Sequence, residues 1–328
     1  VTMGGGPSQW AVEAHIEAGF AVYATPDAAR SFNDDLAVIQ EMGVRVIGED
    51  EIKGLPGDVE RLVLRDFDFP AIARAFGQFG VELDDLAAVT VAVFDHGAAP
   101  PDYSDRQFRF DYIAERLEKH GRLSGFAFPA AEVPPIMTRL AAVVDSAGDV
   151  DAPLVVMDTA PAAVLGATLD ERLLGRERLE VVNVGNFHTL AFRLGNGRIE
   201  GVFEHHTGLL DRAKLDGLLL GLADGTLRHE DVFGDHGHGA TIVSPQPLEL
   251  SQGDFGVVVT GPRRAMLADS SLRPYFATPF GDMMLVGCFG LLAAAAEVLP
   301  RMGLVGVGDQ IRDSLAGGGG RGTPPWEL

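Results

Sequence analysis

Histidine is the residue type that most strongly indicates chemistry in this sequence. Imidazole is a common ligand for zinc, copper and iron and the usual proton carrier near neutral pH. Acidic residues lie beside several of the histidines, so the sequence predicts either a metal site or a site of acid/base catalysis. Six of the nine histidines lie in glycine-rich, polar contexts, and these are His96, His188, His205, His206, His236 and His238.

The spacing of these histidines leaves the ligand set open. None of them matches an established zinc motif such as His-Glu-x-x-His on a helix, and solvent-exposed or loop-capping histidines remain the alternative. Adjacent residues of a strand face opposite sides, so His205 and His206 enter one site only if the chain turns there. The candidate metal ligands are His205, His206, His236 and His238.

A second motif is a glycine turn between two β-rich runs, over residues 179–194. Gly185 and Asn186 tolerate positive φ, so the backbone N–H groups of this turn can converge on an anion. Asn183 precedes the turn, and Thr189 adds a hydroxyl donor after it. The sequence therefore predicts a phosphate-binding hairpin, with an ordinary hairpin turn as the alternative.

Two helices made mostly of small residues are predicted on either side of this hairpin. The first follows Asp158, which ends a predicted strand, and the second follows Asp282. Between the hairpin and the second helix, a buried strand ends at Gly261, and Arg264 comes three residues later. Small side chains allow two helices to approach each other closely, so we expect these two helices to pack together.

This order of motifs, over residues 154–299, resembles the actin, sugar-kinase and heat-shock-chaperone ATPase superfamily. The resemblance implies a two-domain, ribonuclease H-like α/β fold that binds ATP and Mg²⁺ in an interdomain cleft. The hairpin would be its second phosphate loop, and the two small-residue helices would cross at the hinge. By this resemblance the residues that face phosphate are Asn183, Gly185, Asn186 and Thr189, and those beside the nucleoside are Gly261 and Arg264.

Departures from the superfamily pattern bear on whether ATP is hydrolysed. Asn183 stands where the superfamily has an acidic residue that helps hold magnesium or the attacking water. Gly261 is followed by Pro262 rather than by a second glycine. The first phosphate loop, of the Asp-x-Gly-Thr type, is not found near the start of the chain. Either the N-terminal part of the first domain is missing from this sequence, which is the interpretation we adopt, or this protein never used that loop.

The sequence is also similar to a prokaryotic family of unknown function within that superfamily, loosely named pyruvate formate-lyase-activating-enzyme-like. Radical activation by S-adenosylmethionine needs three cysteines for its iron–sulfur cluster, whereas Cys288 is the only cysteine here. We therefore expect no iron–sulfur cluster and no radical activating enzyme. The segments that carry the similarity are residues 3–7, 95–98, 184–192, 203–208, 237–240 and 260–264.

Three functions remain as alternatives. The first is an ATPase or phosphotransferase that binds a nucleotide or another phosphorylated small molecule, with Asp95, Asp158 or Asp282 organising a cation or a nucleophile. The second is a histidine/carboxylate metal enzyme, a hydrolase or isomerase, that does not use ATP. The third is a non-catalytic ligand-binding scaffold. The candidate catalytic residues are Asp95, His96, Asp158, His188, Glu204, His205, His206 and Asp282.

Composition narrows the classes of partner. The formal net charge of −21 argues against binding to nucleic acid or to an anionic membrane surface, because those proteins carry basic patches. The longest apolar run, residues 283–296, is shorter than the roughly 20 residues that span a bilayer. No secretory signal opens the chain, so we expect a cytoplasmic protein with a small-molecule ligand. The oligomeric state is left open.

Alternating β-rich and amphipathic stretches predict an α/β protein. Predicted helices cover residues 8–18, 25–42 and 108–120, the second with Thr25 as N-cap and Pro26 at its first position. Predicted strands include residues 59–64, 86–94 and 154–157. We expect residues 1–150 to be the remainder of a first α/β domain, 151–316 to be a second α/β domain with the hairpin and the later glycine turn, and 317–328 to be a disordered tail.

Overall fold

The computed structural model describes residues 7–30, 32–33, 35–63, 65–100 and 102–317. The glycine segment at residues 3–6 and the tail at residues 318–328, both singled out above, lie outside the described residues. Helices and strands of both parallel and antiparallel sheets follow one another along the chain, which confirms the mixed α/β class. None of the helices in the described part of the chain is long and apolar enough to cross a bilayer.

The regular elements are as follows. The α-helices of the described residues are α1 (Pro7–Glu17), α2 (Pro26–Ala29), α3 (Leu36–Glu41), α4 (Glu49–Lys53), α5 (Phe69–Gly77), α6 (Asp105–Lys119), α7 (Thr138–Ser146), α8 (Thr159–Ala167), α9 (Arg212–Asp224), α10 (His229–Phe233), α11 (Val286–Val298) and α12 (Val305–Gly317). The strands are β1 (Tyr23–Ala24), β2 (Arg45–Val46), β3 (Val89–Val93), β4 (Ala127–Pro129), β5 (Leu154–Asp158), β6 (Arg178–Val184), β7 (His188–Gly195), β8 (Arg198–His206), β9 (Gly239–Ile242), β10 (Val257–Thr260) and β11 (Tyr275–Phe276).

The chain forms two compact units that interleave along the sequence. The first unit comprises the residues up to Leu86 together with Asp95–Asp105 and Val133–Asp151. The second comprises Ala87–Phe94, Arg106–Glu132 and the residues from Ala152 onward.

The first unit is built from short helices around a small parallel pair, β1 and β2. Thr25 caps α2 as its sequence predicts, since its hydroxyl accepts a hydrogen bond from the Ala28 N–H at 3.3 Å. The single helix predicted over residues 25–42 is instead two helices, because Asp35 caps a new one, α3, through the Ala37 N–H at 2.8 Å. The strand predicted at residues 59–64 is also wrong, because the described residues 59–63 form no strand.

The second unit contains two sheets. In one, β3 pairs in parallel with β5, and β4 pairs with β5 in antiparallel fashion. The other has six strands in the order β11-β10-β6-β7-β8-β9, in which β11, β10 and β6 are parallel and β6 to β9 form an antiparallel meander. Leucines of α9 pack on one face of this sheet against Val182, Val259 and Phe203 and form an apolar core.

Helices α8 and α11 pack backbone to backbone in the second unit. A Cβ atom added at Gly166 would overlap the carbonyl oxygen of Val286, and one added at Gly290 would overlap the carbonyl oxygen of Ala162. This contact needs glycine on both helices, which is the close approach that their small-residue sequences predict.

The six-stranded sheet brings the chemically interesting residues to one end. Strand β8 ends at His206, directly opposite His188 at the start of β7. Strand β9 begins at Gly239, opposite Glu204, and β10 ends at Thr260, opposite Asn183. The sheet register, rather than proximity in sequence, therefore assembles the candidate site.

Candidate functional site

Three imidazole rings cluster at this end of the sheet. His188 and His206 form a cross-strand pair with ring centres 5.0 Å apart, packed edge to face. His238, the residue before β9, lies 4.9 Å from His188 and 4.6 Å from His206 between ring centres. The backbone N–H of His238 donates to the Glu204 carbonyl at 2.9 Å, which fixes the start of β9 against β8.

Glu204 lies beneath the rings and is fully buried. Its Oε1 accepts a hydrogen bond from His188 Nδ1 at 2.9 Å, and its Oε2 accepts one from Arg109 Nε at 3.1 Å. Because a carboxylate accepts, this assignment places the proton of His188 on Nδ1 and leaves Nε2 with a lone pair. The ligand atoms offered by His188, Glu204 and His238 all lie within 4.8 Å of one another.

Arg109 joins this glutamate to a second buried carboxylate. Its guanidinium contacts Asp158 Oδ2 at 2.6 Å through a terminal nitrogen, and it lies over the ring of Phe94 with 5.0 Å to the centroid. Asp158 is also the N-cap of α8, with Oδ1 accepting from the Ala160 N–H at 3.0 Å. Side-chain exposure is 1% for Arg109, 6% for Asp158 and 0% for Glu204, so these charges interact away from solvent.

The protonation states follow from burial and from these partners. Burial raises the pKa of Glu204, but the positive charge of Arg109 and the hydrogen bond from His188 outweigh it, so the pKa lies well below the ordinary value of 4.5. Burial lowers the pKa of His206 to about 4 and that of His238 to about 3. At neutral pH the site therefore holds an ionised glutamate beside two neutral imidazoles.

His205 lies on the other face of β8, as strand alternation predicts. Its Nε2 contacts Asp235 Oδ2 at 3.1 Å and its Nδ1 contacts the carbonyl of His206 at 3.1 Å. Asp235 in turn pairs with Lys214 Nζ at 2.7 Å. His205 is thus oriented by the opposite side of the sheet from the three clustered rings. His236 is exposed, with a φ of 64°, two residues before His238.

The two glycine turns lie side by side. Gly261, with a φ of 100°, fits against Asn183 and Val184, and a Cβ there would lie 2.5 Å from the Val184 carbonyl oxygen. In the hairpin, the Gly185 N–H donates to the His188 carbonyl at 3.0 Å. Arg264 donates to the Gly261 carbonyl at 3.3 Å.

The remaining hairpin candidates differ in exposure. Asn186 is exposed at the turn. Thr189 is fully buried, and its hydroxyl shares a hydrogen bond of 2.9 Å with that of Thr207.

The remaining candidates are Asp95, His96 and Asp282. Asp95 and His96 belong to the first unit, where the buried Asp95 carboxylate accepts from the N–H groups of Gly97 at 2.8 Å and Leu140 at 2.7 Å. Asp282 accepts from the Met284 N–H at 2.6 Å in the turn that leads to α11. Asp282 therefore holds its own backbone turn, whereas Asp95 holds its own turn and the first turn of α7.

Arg109 is the site residue that the sequence pattern does not identify. It lies on α6 among charged residues, where an arginine ordinarily points to solvent. The one available signal is its place between Phe108 and Phe110, in a helix whose buried residues include Phe110, Tyr112 and Ile113. That pattern marks the helix as a core helix without identifying which charged residue faces inward.

Comparison with known proteins identifies a family. A family model described as "Putative pyruvate format-lyase activating enzyme (DUF1786)" matches residues 3–266, a span that contains the whole histidine cluster and Arg109. A comparison with curated proteins finds no match. The single cysteine, Cys288, is exposed and lies outside the matched span, and one thiolate does not fit an iron–sulfur cluster that requires at least three.

Proposed function

We propose a function from the site itself for this chain, which belongs to the DUF1786 family. The descriptive name of the family implies an iron–sulfur cluster, and the single cysteine of this chain does not fit such a cluster. We propose that the second unit is a metal-dependent enzyme that holds a transition-metal ion on the imidazoles of His188 and His238, with Glu204 as the carboxylate that orients His188. Imidazole is a ligand of zinc, iron and nickel, and the second ring nitrogen of a ligating histidine commonly donates to a carboxylate. The reaction class that best suits such an ion is hydrolysis or isomerisation of a polar small molecule.

The spacing of the rings is the observation that carries this proposal. Ring centres of His188, His206 and His238 are separated by 4.6 to 5.0 Å. Zn–N bonds of about 2.0–2.1 Å in a tetrahedron place imidazole centres about 5 Å apart, so the cluster has the dimensions of a metal site. Packed aromatic side chains have similar separations, so the feature that distinguishes this cluster is the buried carboxylate of Glu204 at hydrogen-bond distance from His188.

The charge of the site also favours a cation. Arg109 contributes one positive charge against the two carboxylates of Asp158 and Glu204. Burial raises the pKa of Asp158 above its ordinary 3.8, and the guanidinium of Arg109 at 2.6 Å opposes that rise. With both carboxylates ionised and the imidazoles of His206 and His238 neutral, this buried group has a net negative charge, which a metal ion would neutralise. The protein thereby provides both donor atoms and electrostatic attraction for a divalent ion.

The residues have distinct roles in this proposal. A bound ion would supply Lewis acidity and lower the pKa of water. Glu204 orients His188 through Nδ1, so that Nε2 is the atom offered to the ion. His206 is half-buried at the edge of the cluster, and its pKa of about 4 keeps it a neutral imidazole that can hydrogen-bond a ligand rather than act as a base at neutral pH.

Metal analysis of purified protein tests the proposal. We expect about one equivalent of zinc, iron or another transition metal per chain by plasma mass spectrometry, and binding of Co²⁺ or Zn²⁺ by calorimetry after chelation. His238→Asn should abolish this binding, because it removes a ligand at the centre of the cluster. His236→Asn is the matched control, since His236 is exposed two residues away and asparagine tolerates its positive φ. Equal metal binding by both variants would contradict the proposal.

A second candidate function is nucleotide or phosphate binding on an actin-like ATPase fold. The adjacency of the Gly185 and Gly261 turns and the close packing of α8 on α11 support it, because the superfamily that the motifs resemble uses these four elements together. In this proposal the exposed part of the hairpin around Asn186 faces phosphate, with Arg264 beside the nucleoside. A non-catalytic scaffold would show binding without turnover.

Calorimetry with ATP or ADP in the presence of Mg²⁺ tests this candidate. We expect a dissociation constant below about 1 mM, weakened in Arg264→Ala and unchanged in Arg263→Ala, whose side chain is exposed on the neighbouring residue. No binding at that concentration would eliminate the nucleotide proposal and leave the metal proposal intact.

A further inference from the structure

Arg109 is the largest fully buried charged side chain next to the histidine cluster. It comes from α6, while its partners come from β5 and β8, so the guanidinium connects three elements of the second unit. Its Nε reaches Glu204 at 3.1 Å and a terminal nitrogen reaches Asp158 at 2.6 Å. Two carboxylates held by different edges of one planar guanidinium have their positions fixed relative to each other.

The connection continues on both sides of Arg109. On one side, Glu204 Oε1 meets His188 Nδ1 at 2.9 Å. On the other, Asp158 caps α8 through the Ala160 N–H, and α8 packs backbone to backbone on α11. A continuous chain of hydrogen bonds and one short ion pair therefore runs from a rigid helix crossing to the imidazole of His188.

We propose that Arg109 is a positioning residue that, with Asp158, holds Glu204 so that His188 keeps its proton on Nδ1 and presents Nε2 to the metal. This inference rests on the proposed metal function, but its first consequence concerns the metal-free protein. A carboxylate locked in this orientation accepts only from Nδ1. A carboxylate released from Arg109 can turn away, and His188 is then free to take either tautomer.

Nitrogen NMR of histidine side chains in the metal-free protein measures the tautomer directly. In the wild-type protein near pH 8, where free histidine is neutral, we expect His188 as the Nδ1–H tautomer. Arg109→Gln should shift it to a mixture with the Nε2–H form, and Arg109→Lys, which keeps the charge but loses the planar fork, should lie between the two. A wild-type His188 in the Nε2–H form, or a tautomer unchanged in folded Arg109→Gln, would overturn the inference.

Metal affinity provides a second measurement. Loss of an outer partner of a ligand typically costs 10- to 100-fold in affinity, so we expect a loss of about that size for Arg109→Gln with Co²⁺ as the probe. Arg193→Lys is the matched control, because Arg193 is equally buried but its N–H groups bind the carbonyls of Leu222 and Ala223. An equal loss in the control would show a merely structural effect and overturn the inference.

The two proposals fail in different ways. If wild-type protein binds no Co²⁺, the metal function is wrong, and the tautomer of His188 still tests the role of Arg109. If Arg109→Gln does not fold, Asp158→Asn replaces it, because it removes the second anchor of Arg109 with little change in size. We expect the same shift of tautomer in this variant, smaller in extent, and no shift would overturn the inference.

Discussion

Two buried glutamates on the six-stranded sheet, Glu204 on β8 and Glu180 on β6, lie in opposite electrostatic environments. Each is fully buried and has a buried arginine nearby, Arg109 for Glu204 and Arg193 for Glu180. Glu204 accepts hydrogen bonds from Arg109 and His188. Among the described residues, neither carboxylate oxygen of Glu180 has a hydrogen-bond partner.

The difference lies in how each arginine uses its N–H groups. Arg109 directs them to the carboxylates of Glu204 and Asp158. Arg193 instead donates at 2.9 Å to the carbonyls of Leu222 and Ala223 in the last turn of α9, and its ion pair, 3.5 Å long, is with Glu200 rather than with Glu180. Burial raises the pKa of Glu180 well above the ordinary 4.5, because the opposing effect of Arg193 is too small. Burial alone therefore does not decide the charge of a carboxyl group, and its hydrogen-bond donors do.

The comparison suggests a functional distinction. Keeping Glu204 ionised in the interior requires the arginine, the histidine and a second carboxylate to be arranged around it. Such an arrangement gives little net stability by itself, since buried ion pairs recover desolvation costs poorly. A functional site that needs a fixed negative charge explains this arrangement better than a contribution to the stability of the fold does.

The largest expected effect is that of Arg109→Met. It leaves Glu204 and Asp158 buried without their shared counter-charge, which should lower the free energy of unfolding of the second unit by about 3–5 kcal/mol. Adding Glu204→Gln should recover part of the loss, because it removes one of the uncompensated charges. Urea denaturation followed by circular dichroism measures both variants, and a loss below about 1 kcal/mol for the single variant would remove the basis of the comparison.

Matched Glu→Met replacements give the next largest effect. Glu204→Met removes a partner from Arg109 and from His188, so we expect a loss of about 3 kcal/mol. Glu180→Met removes a carboxyl group that has no hydrogen-bond donor, so we expect stability that is unchanged or higher by about 1 kcal/mol. The same denaturation experiment compares them, and the reverse order would show that the two environments are assigned wrongly.

The sequence predicts much of the framework on which these residues stand. Thr25 and Pro26 mark the start of α2, the β-rich runs around residues 185–186 form the β6–β7 hairpin, and the small residues after Asp158 predict a helix that packs closely. These features depend on local backbone preferences, which a single sequence carries. The helix predicted over residues 25–42 was wrong because Asp35 offers a local cap that competes with continuation of the helix.

The candidate site is only partly contained in the sequence pattern. Alternation along β8 separates His205 from His206, but it does not tell which of them faces His188. That choice depends on the register between β7 and β8, a long-range property. Arg109 was missed for a related reason: its partners, Asp158 and Glu204, are 49 and 95 positions away in the chain. The burial of a charged residue on a helix can be predicted only when its distant partners of opposite charge are known.

The two glutamates also predict opposite responses to pH. The folded pKa of Glu180 is raised, so its contribution to stability is present below the ordinary 4.5 and is lost as pH rises through the folded value. The folded pKa of Glu204 is lowered, so its contribution is present above 4.5 and is lost as pH falls through the folded value. Glu180→Gln should therefore flatten the stability profile above pH 4.5. Glu204→Gln should flatten the acidic side.

Urea denaturation at a series of pH values measures these profiles. Glu249→Gln is the control, because Glu249 is exposed and no described element buries it. Identical profiles for the wild type and Glu180→Gln above pH 4.5 would mean that folding does not raise the pKa of Glu180, and the contrast with Glu204 would be lost.

The smallest expected effect concerns an ion pair of nearly the same length in a different environment. Lys214 Nζ lies 2.7 Å from Asp235, against 2.6 Å for Arg109 and Asp158, but the side chains of Lys214 and Asp235 are 37% and 43% exposed. Lys214→Met should therefore change the free energy of unfolding by no more than about 0.2–1 kcal/mol, and 1 M salt should reduce the difference further. A loss as large as that of Arg109→Met would mean that distance, rather than burial, determines the strength of these pairs. The small loss that we expect would instead show that an ion pair matters here only where the protein has excluded water from it.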